Sequence, residues 1–236
     1  MAVSARAGGK MIWLYFLDTM QMEDPALFRD YYEQMSEHRK RKIDFYRFDK
    51  DKRLSLGAGI LIGKGLAPFG YREQEMQYHT VGNGKPVFAN APQIHFNVSH
   101  AGSKVMAAFS DCCELGCDIE KVSEMDMEVA RRCFCRREYE RILEKETGEE
   151  RMDVFFRLWT MKESFMKATG LGMELSPDGF EVSLSGDGNS WSEEPVRQEI
   201  SPKQYRIKEF SLFEGYKCAV CVEDGARQDE NFCLIL

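Results

Sequence analysis

"HAGSKVMAAFSD", His100 to Asp111, and "FEGYKCAVCVED", Phe213 to Asp224, carry the same punctuation far apart in one chain. Each has a glycine, a lysine two residues later, a run of small apolar residues and a closing aspartate. The first is preceded by "IHFNVS", so Ile94–Asp111 is expected to form two strands joined at Ala101-Gly102-Ser103. The second follows "YRIKEFSL" and is expected to form two strands around Glu214-Gly215-Tyr216. Upstream of the two stretches, "RLSLGAGILIGKGL" (53–66) and "RLWTMKESFMKATGLG" (157–172) begin alike and read as helices. The shared order in both halves predicts an α+β fold of two similar α/β lobes related by a pseudo-twofold, with a cleft between them. The lobes are placed at 11–121 and 122–236, after a loose leader at 1–10.

Outward from these segments, Met11–Thr19 reads as a strand rich in Ile, Trp, Tyr and Phe. Pro25 opens a charged helical stretch running to Phe48, and "VGNGKPVF" (81–88) reads as a turn entering a short strand. "LGCDIEKV" (115–122) is a further strand. Ser123–Lys145 and Met152–Thr169 read as helices, the latter stopped by Gly170, and "GFEVSLSGDGNS" (179–190) as a strand and a polar loop.

The composition of the 236 residues, 43% hydrophobic and 12% aromatic, is that of an ordered globular protein. A net charge of −7 argues against a dedicated nucleic-acid binder, whose surface must be positive. No apolar run approaches the ~20 residues needed to cross a bilayer, so no membrane partner is expected. The eight cysteines include the adjacent Cys112–Cys113, and there are only four histidines. They support neither a zinc site nor a disulfide framework, and the better reading is reduced thiols in a cytoplasmic protein.

Asp118 and Glu120 stand one residue apart on an expected strand, so both carboxylates project from one face. Two such anions repel unless a proton or a cation intervenes, and a hard divalent ion with oxygen ligands would resolve the clash. A solvated strand end beside Lys121 is the ordinary alternative. Glu163 and Lys167, four residues apart on a helix, can be a simple stabilising pair. Flanking Phe156, Trp159, Phe165 and Met166 make that helix substantially buried, where an idle charge is costly. Ser99, His100 and Gly102 sit at a strand-to-turn corner suited to an anion, and Lys85 lies on another turn of that kind. Arg39, Lys40, Arg41, Lys42, Arg47, Lys50, Lys52 and Arg53 crowd one stretch, a solvated helix face or the complement of a compact polyphosphate.

In order and spacing, "GKP" (84–86), "FNVSHAG" (96–102), "GCDIE" (116–120) and "FFRLWTMKESFMKATGLG" (155–172) resemble the 4′-phosphopantetheinyl transferase family, in its larger two-lobed, surfactin-synthetase-activating type. With the basic stretch, the resemblance spans most of the chain. It implies Mg²⁺-dependent transfer of phosphopantetheine from coenzyme A to a serine of an acyl or peptidyl carrier protein, with release of 3′,5′-ADP. It assigns the metal to Asp118, Glu120 and Glu163, and catalysis to Glu163, Lys167 and His100. Coenzyme A would meet Arg41, Arg53, Lys85, Pro86, Ser99, His100, Lys162 and Lys167. "SHAG" stands where the family more commonly has "SHSG", and Cys117 replaces an aliphatic residue.

An acidic carrier helix is expected to dock on Arg131, Arg132, Arg136 and Arg137 with Met125, Met127 and Phe134. The alternative for these residues is an ordinary helix packed on its own lobe. The expected molecule is a monomer whose lobes mimic a dimer. A module that binds coenzyme A or a carrier without turnover is the rival reading; it predicts loss of an acid or of Lys167, and all are present.

Overall fold

The computed structural model describes residues 11–224 and 231–235, so the expected leader at 1–10 lies outside the described residues. The chain runs β1 (Met11–Asp18), α1 (Pro25–Glu33), α2 (Glu37–Phe45), α3 (Asp49–Leu66), β2 (Tyr78–Val81), β3 (Lys85–Phe88), β4 (His95–Ala101), β5 (Lys104–Ser110) and β6 (Leu115–Lys121). It continues through α4 (Met127–Cys133), α5 (Arg136–Leu143), α6 (Gly148–Thr169), β7 (Tyr205–Phe210), β8 (Tyr216–Glu223) and β9 (Asn231–Ile235).

A four-stranded sheet has the order β4-β5-β1-β9 and a three-stranded sheet the order β6-β8-β7. In each, an opening strand pairs antiparallel with the second arm of a later antiparallel pair: β1 with β5, and β6 with β8. The duplicated "G-x-K" stretches are β5 and β8 with the turns that precede them. β6 therefore hydrogen-bonds within the second half's sheet, on the far side of the division expected at 121/122. β9 crosses the other way and pairs parallel with β1.

Period-2 alternation builds three apolar layers. Ile12, Leu14 and Phe16 of β1 and Met106 and Ala108 of β5 meet Leu115, Cys117 and Ile119 of β6 and Cys218, Val220 and Val222 of β8 between the sheets. Trp13, Tyr15, Val105, Ala107 and Phe109 face Leu54, Ala58 and Leu61 of α3. Ile207, Ala219 and Cys221 face Leu158, Met161 and Phe165 of α6. Full burial of each large side chain contributes about 1.5–3 kcal/mol, which makes the order helix, sheet, sheet, helix the stable one.

Two expected helices are divided. The stretch from Pro25 breaks after Glu33, and Ser36 caps α2 by accepting from Arg39 N–H. The buried Glu73 carboxylate holds that cap, accepting from Ser36 N at 2.7 Å and Ser36 Oγ at 2.8 Å. The stretch 123–145 starts only at Asp126, the cap of α4, and breaks at Phe134, whose extended backbone sends its ring into the core. The strand expected within 179–190 is reduced to one isolated bridge, Glu181 to Arg197.

Candidate active site

α6 begins at a capping box in which Thr147 Oγ1 accepts from Glu150 N–H while Glu150 accepts from Thr147 N–H. It ends at Gly170, with φ +73°, the left-handed cap glycine adopts readily. Between these ends it crosses β6 at Gly116. A Cβ there would lie 2.2 Å from Ser164 O and 2.3 Å from Ala168 N. Glycine thus permits a helix-to-strand approach that no side chain allows. That approach places Glu163 and Lys167, on one face of α6, above Asp118 and Glu120.

Lys167 Nζ lies 2.6 Å from Asp118 Oδ1 and donates to Ser99 Oγ at 3.0 Å. Ser99 in turn donates to Asp118 Oδ1 at 2.7 Å. Asp118 is 2% exposed, and its Oδ2 is buried without a hydrogen-bond partner. Burial first, then the charges of Asp118 and Glu163 against that of Lys167, push Glu120 up to about 7. Glu163 is raised by burial, with Lys167 opposing and Asp118 adding. Burial works against charge on Lys167 too, but the Asp118 carboxylate outweighs it and holds the ammonium above its usual range.

Three carboxyls thus share one ammonium in a poorly solvated corner. Among the described residues they do not already form a closed ligand cluster; the Lys167 ammonium is the cation at Asp118. The donor set is all carboxylate oxygen, and Asp118 Oδ2 is an orphaned acceptor, so these side chains fit a hard cation such as Mg²⁺.

A cavity of about 370 Å³ opens beside this corner, walled by His38, Arg39, Lys42, His79, Asn97 and His100 among others. A second, of about 190 Å³, is walled by Gly84, Lys85, Lys167 and Gly170, and the two share Pro86 and Asn97. Strand alternation explains the split: Ser99 turns toward Asp118, and His100 toward the basic cavity. His100 is held below the usual imidazole range, by desolvation first and then by the ammonium groups of Lys167 and Lys42.

Ser99, His100, Pro86, Lys167, Asp118, Glu120 and Glu163 are therefore brought together. Lys162 is not. It is 1% exposed, its Nζ 2.8 Å from Glu138 Oε2 and donating to the carbonyls of Pro177 (2.7 Å) and Phe180 (2.6 Å), so it faces the core of its own lobe. Lys85 borders the smaller cavity, but its ammonium is held by Glu114 at 2.7 Å and by the Leu115 and Ala168 carbonyls. Arg53 pairs with Glu23 at 3.3 Å in a separate cavity of about 460 Å³ between α1, α2 and α3. Arg41 is exposed and donates to the Glu37 carbonyl at 3.2 Å. In their place Lys42 and Arg39 border the cleft, Arg39 only 6% exposed and with its Nε 3.8 Å from Glu73 Oε1. The signal for them is the helical phase: positions 38, 39 and 42 share a face next to buried Ile43, and Arg41 projects from another.

On the expected docking helices, Arg131 and Arg132 both pair with Glu128, Arg136 with Glu140 and Arg137 with Glu181. Phe134 is 3% exposed and belongs to the core. Cys218 and Cys221 form a C-x-x-C spacing within β8, where odd spacing sends the thiols to opposite faces, out of reach of a shared ion.

Residues 114–221 match the model of the 4′-phosphopantetheinyl transferase superfamily. The 4′-phosphopantetheinyl transferase Sfp of Bacillus subtilis (strain 168) is 36% identical over 185 residues, 78% of this chain and 80% of that protein. The 4′-phosphopantetheinyl transferase gsp of Aneurinibacillus migulanus is 31% identical over 217 residues, 89% and 86% of the two chains. An L-aminoadipate-semialdehyde dehydrogenase-phosphopantetheinyl transferase of Mus musculus is 29% identical over 208 residues, 80% of this chain and 67% of that one. The Thermotoga maritima holo-[acyl-carrier-protein] synthase structure aligns with a TM-score of 0.38 at 17% identity, over 47% of this chain and 62% of its own.

Proposed function

Because the chain belongs to the 4′-phosphopantetheinyl transferase superfamily, we propose that its two joined cavities take coenzyme A and that the corner beside them passes phosphopantetheine to a carrier-protein serine. The single observation that carries the reading is the Lys167–Asp118–Ser99 junction, with Glu120 and Glu163 facing it, at the end of a cleft whose other wall is basic.

The serine Oγ attacks the β-phosphorus, the bond from that phosphorus to the bridging oxygen breaks, and 3′,5′-ADP leaves. Glu163, on the face of α6 that carries Lys167, accepts the Oγ proton; as a ligand of a bound cation it would be a modest base, so its positioning contributes more than its basicity. Lys167, kept charged by Asp118, donates to the oxygens on which charge collects. His38, Arg39 and Lys42 meet the 3′-phosphate, and His100 donates to a phosphate oxygen nearer the centre. When bound by Asp118, Glu120 and Glu163, Mg²⁺ supplies charge neutralisation of the diphosphate.

The test is incubation with coenzyme A, Mg²⁺ and apo acyl and peptidyl carriers, read by intact mass. The expected result is a gain of one phosphopantetheine, lost in EDTA, restored by Mg²⁺ and nearly absent in Glu163→Gln. Full-speed transfer in EDTA would overturn the metal assignment, and no gain on any carrier would overturn the reaction.

A further inference from the structure

Asn97 stands where the two cavities meet, and none of the roles expected of the site falls to its side chain. It is 7% exposed, and with Pro86 it is common to both cavity walls. Its Oδ1 accepts from the Cys117 N–H at 2.9 Å. A backbone N–H can be met only by the carbonyl end of the amide, so the orientation is fixed. β4 and β6 belong to different sheets, and this bond stands in for the strand ladder they lack. The Nδ2 end is therefore turned away from β6. It has no acceptor among the described residues, yet it is not among their sealed, unpartnered polar atoms, so it opens into the cleft. Pro86 has no N–H, which leaves the Asn97 amide as the donor at the junction.

We propose that Asn97 Nδ2 donates to a diphosphate oxygen of the ligand where it bends from the basic cavity toward Lys167. The inference rests on the coenzyme A reading above. One amide thereby does two things: its oxygen fixes the height of the strand bearing Asp118, and its nitrogen reads the ligand against that strand. The donor is neutral and pre-oriented, so it selects an oxyanion without adding charge beside the carboxyls.

Asn97→Asp separates the two ends. An aspartate oxygen still accepts from Cys117 N–H, so the bond to β6 is kept and the chain should fold, with a lowered melting temperature because a further carboxylate is buried near Asp118, while the other oxygen confronts the diphosphate. Calorimetric titration should show coenzyme A bound at least tenfold more weakly, with adenosine 3′-phosphate, which lacks a 5′-phosphate, bound equally by both proteins. Equal coenzyme A affinity would overturn the proposal, and so would an equal loss for both ligands, which would mark a structural role. If the variant does not fold, ¹⁵N-asparagine-labelled parent decides: the Asn97 side-chain amide signals should shift with coenzyme A and stay in place with adenosine 3′-phosphate. A shift with neither or with both sinks it. Failure of the parent itself to bind coenzyme A would instead remove the functional reading beneath.

Discussion

Lys167 Nζ lies 2.6 Å from Asp118 Oδ1, joining the last turns of α6 to the centre of β6. The same carboxylate keeps its other oxygen buried and unpartnered. Removing the lysine therefore strands an anion, whereas Asp118→Asn removes the charge and leaves the Ser99 and Lys167 side chains a neutral partner. Lys167→Met should destabilise the chain by about 2–4 kcal/mol, a little under the range for a fully sealed pair because the Lys167 side chain keeps 27% exposure. Asp118→Asn should cost less in melting temperature, and both should lower transfer by at least about a hundredfold. Equal melting temperatures for Lys167→Met and the parent would contradict the pairing.

Lys162 and Glu138 form the other α6 pair, sealed at 1% and 2% exposure. The Glu138 carboxylate also accepts from Val182 N and Cys135 N, so it is held on three sides. Burial lowers Lys162, and Glu138 opposes that. Glu138→Ala should cost about 3–5 kcal/mol, and Lys162→Met with Glu138→Leu should recover only the part due to the stranded ammonium, since the Val182 and Cys135 N–H groups still lose their acceptor. Chemical denaturation measures both. KM for coenzyme A should stay at the parent value in the double variant; a large rise would return Lys162 to the ligand.

The strand pairs, their turns and the sharing of a face by Asp118 and Glu120 were legible because they follow from local period and glycine placement. Three things were not. β6 joins β8, and β9 joins β1, through pairings distant in the chain, which no local pattern encodes. Lys162 is one residue from Glu163 on α6, yet a turn of 100° sends it to another face, where a carboxylate from α5 waits. In α2 the same rotation exchanges Arg41 for Lys42, because the register is set by the Ser36 cap and by the burial of Ile43.

Glu114 accepts from His95 Nδ1 at 2.9 Å and from Lys85 Nζ at 2.7 Å. The His95 hydrogen bond first, with Lys85 acting against partial burial, holds its carboxyl down at about 2. A depressed carboxyl contributes stability that is complete above its ordinary value near 4.5 and lost as pH falls toward 2. Glu114→Gln should lower the melting temperature at neutral pH and flatten its decline across that acid window. An unchanged slope between parent and variant would show that Glu114 is not held this way.

Gly116 makes the sharpest demand on sequence. A methyl at this position meets Ser164 O at 2.2 Å and Ala168 N at 2.3 Å, both backbone atoms that no rotamer change can withdraw. α6 must lift or slide, by enough to part Lys167 from Asp118. Gly116→Ala should destabilise by about 1–3 kcal/mol and reduce transfer far more than that loss of folded protein explains. By contrast, Gly63→Ala, on α3, whose Cβ finds only Glu73 Cβ at 3.8 Å, should leave both intact. Measuring transfer at a temperature where the Gly116→Ala chain is still fully folded isolates the geometric effect, and parent-level activity there would mean that the close crossing of α6 over β6 does not position the site.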